Sequence, residues 1–140
     1  MIFTPLGPIS VLVEDGKVVR IELGRNVRTG DVPQSILRQI EEYLAGLRKE
    51  LDFEVQIVGT CFQKRVWEEV RKIPYGEVRT YGEIAKKLGT SPRAVGRALA
   101  ENPLPLYIPC HRVVAKNKLG GFSAGLEWKE YLLRIERGGA

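Results

Sequence analysis

Residues 81–102 read YGEIAKKLGTSPRAVGRALAEN, and this stretch decides the fold. Ile84, Ala85 and Leu88 fall on one face of a short helix. Gly89-Thr90 makes a turn. Ser91 is a natural N-cap, and Pro92 suits the first helical position, where no amide hydrogen is needed. Ala94, Val95, Ala98 and Leu99 mark a second helix ending near Asn102-Pro103. Two short helices around a glycine turn make a helix-turn-helix. Arg93 and Arg97 stand on the second helix among the small residues Ala94, Gly96 and Ala98. Small residues let a helix backbone approach nucleic acid closely, while arginines meet phosphates or enter the base stack. The same pattern also suits a helical hairpin within a core.

Upstream, Thr60 and Gln63 have the spacing of a capping box. Phe62, Val66, Trp67, Val70 and Ile73 follow at helical spacing, and Pro74-Tyr75-Gly76 stops that helix. The first third of the chain has a different character. Ile9–Glu14 and Lys17–Leu23 are apolar-rich runs around Asp15-Gly16, a strong hairpin signal. Ile36, Leu37, Ile40, Tyr43, Leu44 and Leu47 predict an amphipathic helix over roughly 34–48. Phe53, Val55 and Ile57 alternate and predict one more strand. The expected class is α+β: a β-rich N-terminal domain over residues 1–56 and a mainly helical C-terminal domain over 57–140.

Composition narrows the function. The chain has 140 residues, 44% hydrophobic and 28% charged, which excludes wholesale disorder. No apolar run approaches the roughly 20 residues of a membrane-spanning helix, and the first ten residues lack the basic start of a secretory signal. Two cysteines, Cys61 and Cys110, are too few for a disulfide scaffold or a structural zinc site. The expected location is therefore cytoplasmic, with thiols free for chemistry. Residues 1–56 hold seven basic and nine acidic side chains, whereas 57–140 hold fifteen and eight. A net +7 on the second segment points to a polyanionic partner, with a solvated Lys- and Glu-rich surface as the plain alternative.

The densest chemistry lies in residues 102–114, NPLPLYIPCHRVV. Three prolines precede Cys110-His111, and His111 is the only histidine. A thiol becomes a strong nucleophile as thiolate, and a nearby imidazole can take its proton. Sequence neighbours rarely face each other in regular structure, so the pair needs a bridging water or an irregular turn. A histidine base also needs an orienting group; Glu127, Glu130 and Glu136 are the carboxylates downstream. A buried structural cysteine beside a surface histidine is the competing reading.

Ile108-Pro109-Cys110-His111-Arg112-Val113 resembles the active-site signature of the O6-alkylguanine-DNA alkyltransferases. The resemblance extends over residues 59–136. It includes Gly59-Thr60, Phe62-Gln63, Val66-Trp67, Ile73-Pro74-Tyr75-Gly76-Glu77, Thr80-Tyr81, Arg93-Ala94-Val95-Gly96, Asn102-Pro103-Leu104-Pro105, Gly121-Phe122-Ser123 and Gly125-Leu126-Glu127-Trp128-Lys129. It implies a ribonuclease-H-like N-terminal domain and a winged-helix-like C-terminal one. It also implies stoichiometric repair of O6-methylguanine and larger O6-alkylguanines in double-stranded DNA, and leaves open whether O4-methylthymine is accepted.

The roles it implies are specific. Cys110 accepts the alkyl group, activated by a relay of Glu136, His111 and water. Asn102 ties the helix-turn-helix to the reactive turn. Tyr81 bonds the purine and helps protonate the departing base, and Lys129 lies near it. Ser123 offers its amide to the guanine oxygen, and the carbonyls of Cys110 and Val113 read the exocyclic amine. Pro105, Leu99 and Phe122 form apolar walls. Arg93 fills the stack after base flipping, while Ala94, Gly96 and Arg97 approach the minor groove.

Three features depart from the family pattern. Arg97 stands where some members have glycine, and Phe122 lacks a hydroxyl that some members carry. The zinc ligands of some N-terminal domains are absent, so no metal or other cofactor is expected. The protein is expected to be monomeric. Members that bind alkylated DNA without repairing it replace the acceptor cysteine, which is present here. A winged-helix regulator would not need Pro109-Cys110-His111 with Glu136, and a cysteine hydrolase would explain neither the basic segment nor the helix-turn-helix.

Overall fold

The computed structural model describes residues 2–25, 30–116, 118–122 and 124–138. Strand β1 (Ile2–Thr4) pairs with β2 (Gly7–Glu14), and β2 pairs with β3 (Lys17–Leu23), all antiparallel. The hairpin turns at Asp15-Gly16, both at positive φ, as expected of Asp-Gly. β1 was not expected. It is three residues long and gives no periodic signal of its own.

Helix α1 (Gln34–Leu44) buries Ile36, Ile40 and Tyr43. It ends four residues before the expected limit. Gly46 takes a positive φ, and Leu47 is left 80% exposed. The strand expected around Phe53–Ile57 shrinks to a single bridge between Val55 and Val18. Phe53 instead faces the ring of Tyr107 at 5.6 Å.

Helix α2 (Cys61–Arg71) starts on a reciprocal capping box between Thr60 and Gln63. A two-residue strand β4 (Arg79–Thr80) leads into α3 (Tyr81–Leu88), again through a capping box, Thr80 with Glu83. Gly89 at φ +69 closes α3 in the left-handed conformation that glycine tolerates best. Ser91 caps α4 (Pro92–Ala100) by accepting from the Ala94 amide. The helix-turn-helix is therefore formed, and Trp67 of α2 braces it by donating to the Ala98 carbonyl at 2.8 Å.

A 3-10 turn (Cys110–Arg112) runs into β5 (Val113–Val114), which pairs in parallel with β4. Helix α5 (Leu126–Glu136) ends the described fold. The architecture is mixed α and β, with a small antiparallel sheet and five α-helices among the described residues. One buried apolar cluster includes Ile9, Val11 and Ile40 as well as Trp67, Val95, Ile108 and Leu132, so both segments contribute to it. Within the described residues no helix is long and apolar enough to cross a membrane.

Candidate active site

The loop between α4 and the 3-10 turn carries three prolines and is pinned by one side chain. Asn102 accepts from the Leu104 amide at 2.8 Å and donates to the Ile108 carbonyl at 3.0 Å. Leu106 sits at φ +80 inside that bracket, a conformation a branched side chain adopts only when its surroundings impose it. The Ile21 amide of β3 donates to the Pro103 carbonyl, so the N-terminal sheet also holds this loop. The loop delivers Cys110 and His111 on a 3-10 turn, one of the two arrangements expected for the pair.

His111 is fully buried. Its Nε2 lies 2.5 Å from Oε2 of Glu136, so of the three candidate carboxylates Glu136 is the partner. Burial holds the imidazole below its usual pKa, more than offsetting the carboxylate beside it. Burial raises the Glu136 carboxyl, but hydrogen bonds from His111, Arg112 and Tyr43 outweigh it and bring it down to about 2. The pair is thus a neutral imidazole donating Nε2–H to a carboxylate. This assignment leaves Nδ1 as the unprotonated nitrogen. Nδ1 is buried and has no hydrogen-bond partner among the described residues.

Cys110 is 8% exposed. Burial pushes its thiol up to about 11, against smaller opposing effects of Asn102 and Lys129. The resting sulfur is therefore a thiol, and reaction requires a base to take its proton. Cys110 opens on two clefts. One, of about 430 Å3, is walled by Tyr81, Gly96, Leu99, Gly121 and Phe122. The other, about 170 Å3, adds Pro105 and Asn102, with Arg20, Glu22 and Arg25 from β3 and the residues after it.

Lys129 is fully buried on α5 and donates to the carbonyls of Val113 at 2.6 Å and Gly121 at 3.0 Å. Burial lowers its ammonium to about 8. The Tyr81 hydroxyl donates to the Gly121 carbonyl, and burial raises its pKa. Gly120, at φ +80, allows this closeness, since a Cβ there would stand 2.9 Å from the Tyr81 ring. The carbonyls of Cys110 and Val113 already accept from the Val113 amide and from Lys129, so each keeps one lone pair for a ligand.

Arg93 and Arg97 are exposed on α4 and make no ion pair with a described residue. Arg93, Gly96 and Ala100 form one stripe of that helix, and the last two line the larger Cys110 cleft. Ala94 and Arg97 border a neighbouring cleft with Phe62 and Gln63. Ser123 lies outside the described residues. Cys61, at the head of α2, is exposed. Within the described residues no cluster of three His, Cys, Asp or Glu is placed to hold a metal.

Two site residues escaped the sequence reading. Arg112 grips Glu136 through Nε at 2.8 Å and Nη2 at 3.0 Å. Tyr43, on α1, donates its hydroxyl to the same carboxylate. Helical periodicity places Tyr43 on a buried face, but nothing local names its partner.

Fold and site together define a class: a buried cysteine, a carboxylate-held histidine beside it, and a helix-turn-helix at the mouth of the cleft. The family model for the 6-O-methylguanine DNA methyltransferase DNA-binding domain matches residues 61–138. A methylated-DNA–protein-cysteine methyltransferase of Metallosphaera sedula is 43% identical over 95% of this chain and 88% of its own length. One from Archaeoglobus fulgidus is 43% identical over 91% and 90%. The structure of Mycobacterium tuberculosis OGT in complex with DNA superposes with a TM-score of 0.89 at 36% identity, over 98% of this chain and 91% of that one. The chain belongs to the methylated-DNA–protein-cysteine methyltransferase family.

Proposed function

We propose that the protein repairs O6-alkylguanine in duplex DNA by moving the alkyl group to Cys110. The observation that carries this reading is the placement of Cys110. Its thiol lies at the base of a cleft under α4, next in sequence to a neutral His111 whose Nε2–H is committed to Glu136. The sulfur attacks the O6-linked sp3 carbon in line. A C–S bond forms, the C–O bond breaks, and its electron pair stays on the guanine oxygen. The thiol proton passes through water to His111 Nδ1, and a proton donated from the Tyr81 side neutralises the departing base. Guanine is a poor leaving group, so donors aimed at it matter as much as the nucleophile. Lys129 and the Ser123 amide supply that side, and the carbonyls of Cys110 and Val113 read the exocyclic amine.

A base within a duplex cannot reach Cys110, so the nucleotide flips out, at least cost for a damaged, weakly paired base. The Arg93–Gly96 stripe suits a minor-groove approach, with Arg93 entering the vacated stack and Arg97 meeting phosphate. Larger O6-alkyl groups belong to the same reading. A thioether is a stable product and no second thiol lies in the cleft, so each molecule acts once. The protein works as a cytoplasmic monomer without metal or cofactor. Its ribonuclease-H-like segment of residues 1–56 supports a winged-helix-like segment of 57–140.

Intact mass after mixing with O6-methylguanine duplex tests this. A gain of about 14 Da on the Cys110 peptide is expected, from S–H replaced by S–CH3. An unmodified Cys110 would overturn the reading, and methyl loss from DNA above one equivalent would overturn single turnover.

A further inference from the structure

The N-terminal segment reaches the Glu136–His111 pair through the Tyr43 hydroxyl. Helix α1 presents Ile36, Ile40 and Tyr43 to the core, and Tyr43 is 1% exposed. Its ring meets Tyr75 edge-on at 6.0 Å. Its hydroxyl donates to Oε2 of Glu136, and its oxygen lies 3.2 Å from Nε2 of His111. Arg112, the Gly76 amide and His111 supply the remaining donors to that carboxylate.

We propose that Tyr43 is a positioning residue that locks the Glu136–His111 pair in the hydrogen-bonded state that alkyl transfer requires. This rests on Cys110 being activated through His111. Burial and the Glu136 carboxylate hold the phenol well above its usual pKa, so it stays protonated and must donate. Its proton occupies a lone pair of Oε2 and fixes the carboxylate rotamer. Its oxygen then faces Nε2 with a lone pair. Nε2 meets two acceptors, the carboxylate and the phenol oxygen, and must carry the hydrogen. Nδ1 is therefore kept as the proton acceptor. A phenylalanine would fill the same space but leave Oε2 of Glu136 without that donor and Nε2 of His111 without its second acceptor. The charged and titratable groups around His111 are Glu136 and Lys129 from α5, Tyr43 from α1, Arg112 and Cys110 from its own turn, and Tyr75 behind the carboxylate. Of these, Tyr43 alone comes from the first 56 residues.

His111 is the only histidine, so its imidazole nitrogens can be read by NMR without overlap. The wild type should show one Nε2–H tautomer that remains neutral below the usual histidine pKa. In Tyr43→Phe the carboxylate loses a donor and acts more strongly on the ring, so His111 should titrate at higher pH. The acid limb of the reaction with free O6-benzylguanine should move up with it, and the rate should fall about tenfold, the cost of a missing bond to a charged group. In a Glu136→Gln background, Tyr43→Phe should add little, because both act through one carboxylate. Site-specific 3-fluorotyrosine at position 43 keeps the ring and strengthens the donor; His111 should then titrate lower than in wild type.

An unchanged His111 titration in Tyr43→Phe would overturn the proposal. So would slower transfer with an unchanged imidazole, or additive effects in the double variant. Should Tyr43→Phe fail to fold, an unshifted His111 in the fluorotyrosine protein would overturn it alone. The NMR arm uses no DNA, so its failure is separate from a failure of Cys110 to accept methyl.

Discussion

Arg112 holds the carboxylate that holds its neighbour: its Nε lies 2.8 Å from Oε1 of Glu136, while Oε2 of Glu136 lies 2.5 Å from His111. Consecutive residues thus converge on one carboxylate 25 and 24 positions away. Nη1 of Arg112 is also fixed, donating to the Ile73 carbonyl at 2.8 Å. Both charged groups are buried, so neither has water as a substitute partner.

Removing one partner of such a pair leaves the other uncompensated. Arg112→Met should lower the unfolding free energy by about 3–5 kcal/mol, read as a lower urea midpoint with little change in slope. Arg112→Lys keeps the charge but not the planar fork, and should fall between the two. A midpoint in Arg112→Met equal to wild type would show that the pair contributes no net stability.

Acid should unfold the protein through the same cluster. The native Glu136 carboxyl stays ionised down to about 2, whereas unfolded it takes a proton near the usual ~4.3. Its folded pKa is depressed, so its contribution is present above ~4.3 and is lost as pH falls toward 2. His111 adds to this. Burial keeps it neutral in the fold, while the unfolded imidazole charges below ~6.5. In both cases the unfolded chain binds more protons. Melting temperature should drop steadily from about pH 6.5 downward, and Glu136→Gln should flatten the part below about pH 4.5. An acid limb unchanged in that variant would assign acid unfolding to other groups.

Asn102 is the latch of the reactive loop. Asn102→Ala strands the buried Leu104 amide and frees Leu106 from its left-handed conformation. The expected loss is about 1–3 kcal/mol, with slower transfer because Cys110 is no longer held at the cleft. Asn102→Asp keeps the acceptor for Leu104 but sets a negative charge near Cys110 and against the Ile108 carbonyl. Single-turnover rates should place Asp no faster than Ala; a faster Asp variant would mean that the amide does not favour the thiolate.

What the sequence made legible follows from how local each signal is. The Asp15-Gly16 hairpin, the Thr60–Gln63 box and the Ser91 cap each depend on residues within four positions, and each formed. The proline-bracketed Cys110-His111 is also local. The expected strand near Val55 failed because alternation states a preference while pairing needs a partner edge, and only one bridge to Val18 is made. Tyr43 and Arg112 were illegible as site residues because their common partner, Glu136, lies 93 and 24 positions away. A tyrosine on the buried face of a helix looks the same whether its hydroxyl faces a carboxylate or a carbonyl.

Arg93 separates flipping from chemistry. It is exposed at the start of α4, one turn along the stripe from Gly96, which lines the Cys110 cleft. If its guanidinium fills the space left by a flipped nucleotide, Arg93→Ala should slow repair of duplex DNA severely. Free O6-benzylguanine needs no flipping, and its reaction with Cys110 should be nearly unchanged, since the pocket and the Glu136–His111 pair lie elsewhere. The variant should also bind DNA more weakly, with a shallower dependence on salt, because one positive charge is gone. Arg93→Lys restores the charge without the plane that stacks between bases. It should recover part of the binding and less of the duplex repair rate. Single-turnover rates on duplex and free base, measured side by side, check this. Equal loss on both substrates in Arg93→Ala would mean that the residue supports the pocket or the fold, and the stack-filling role would be wrong.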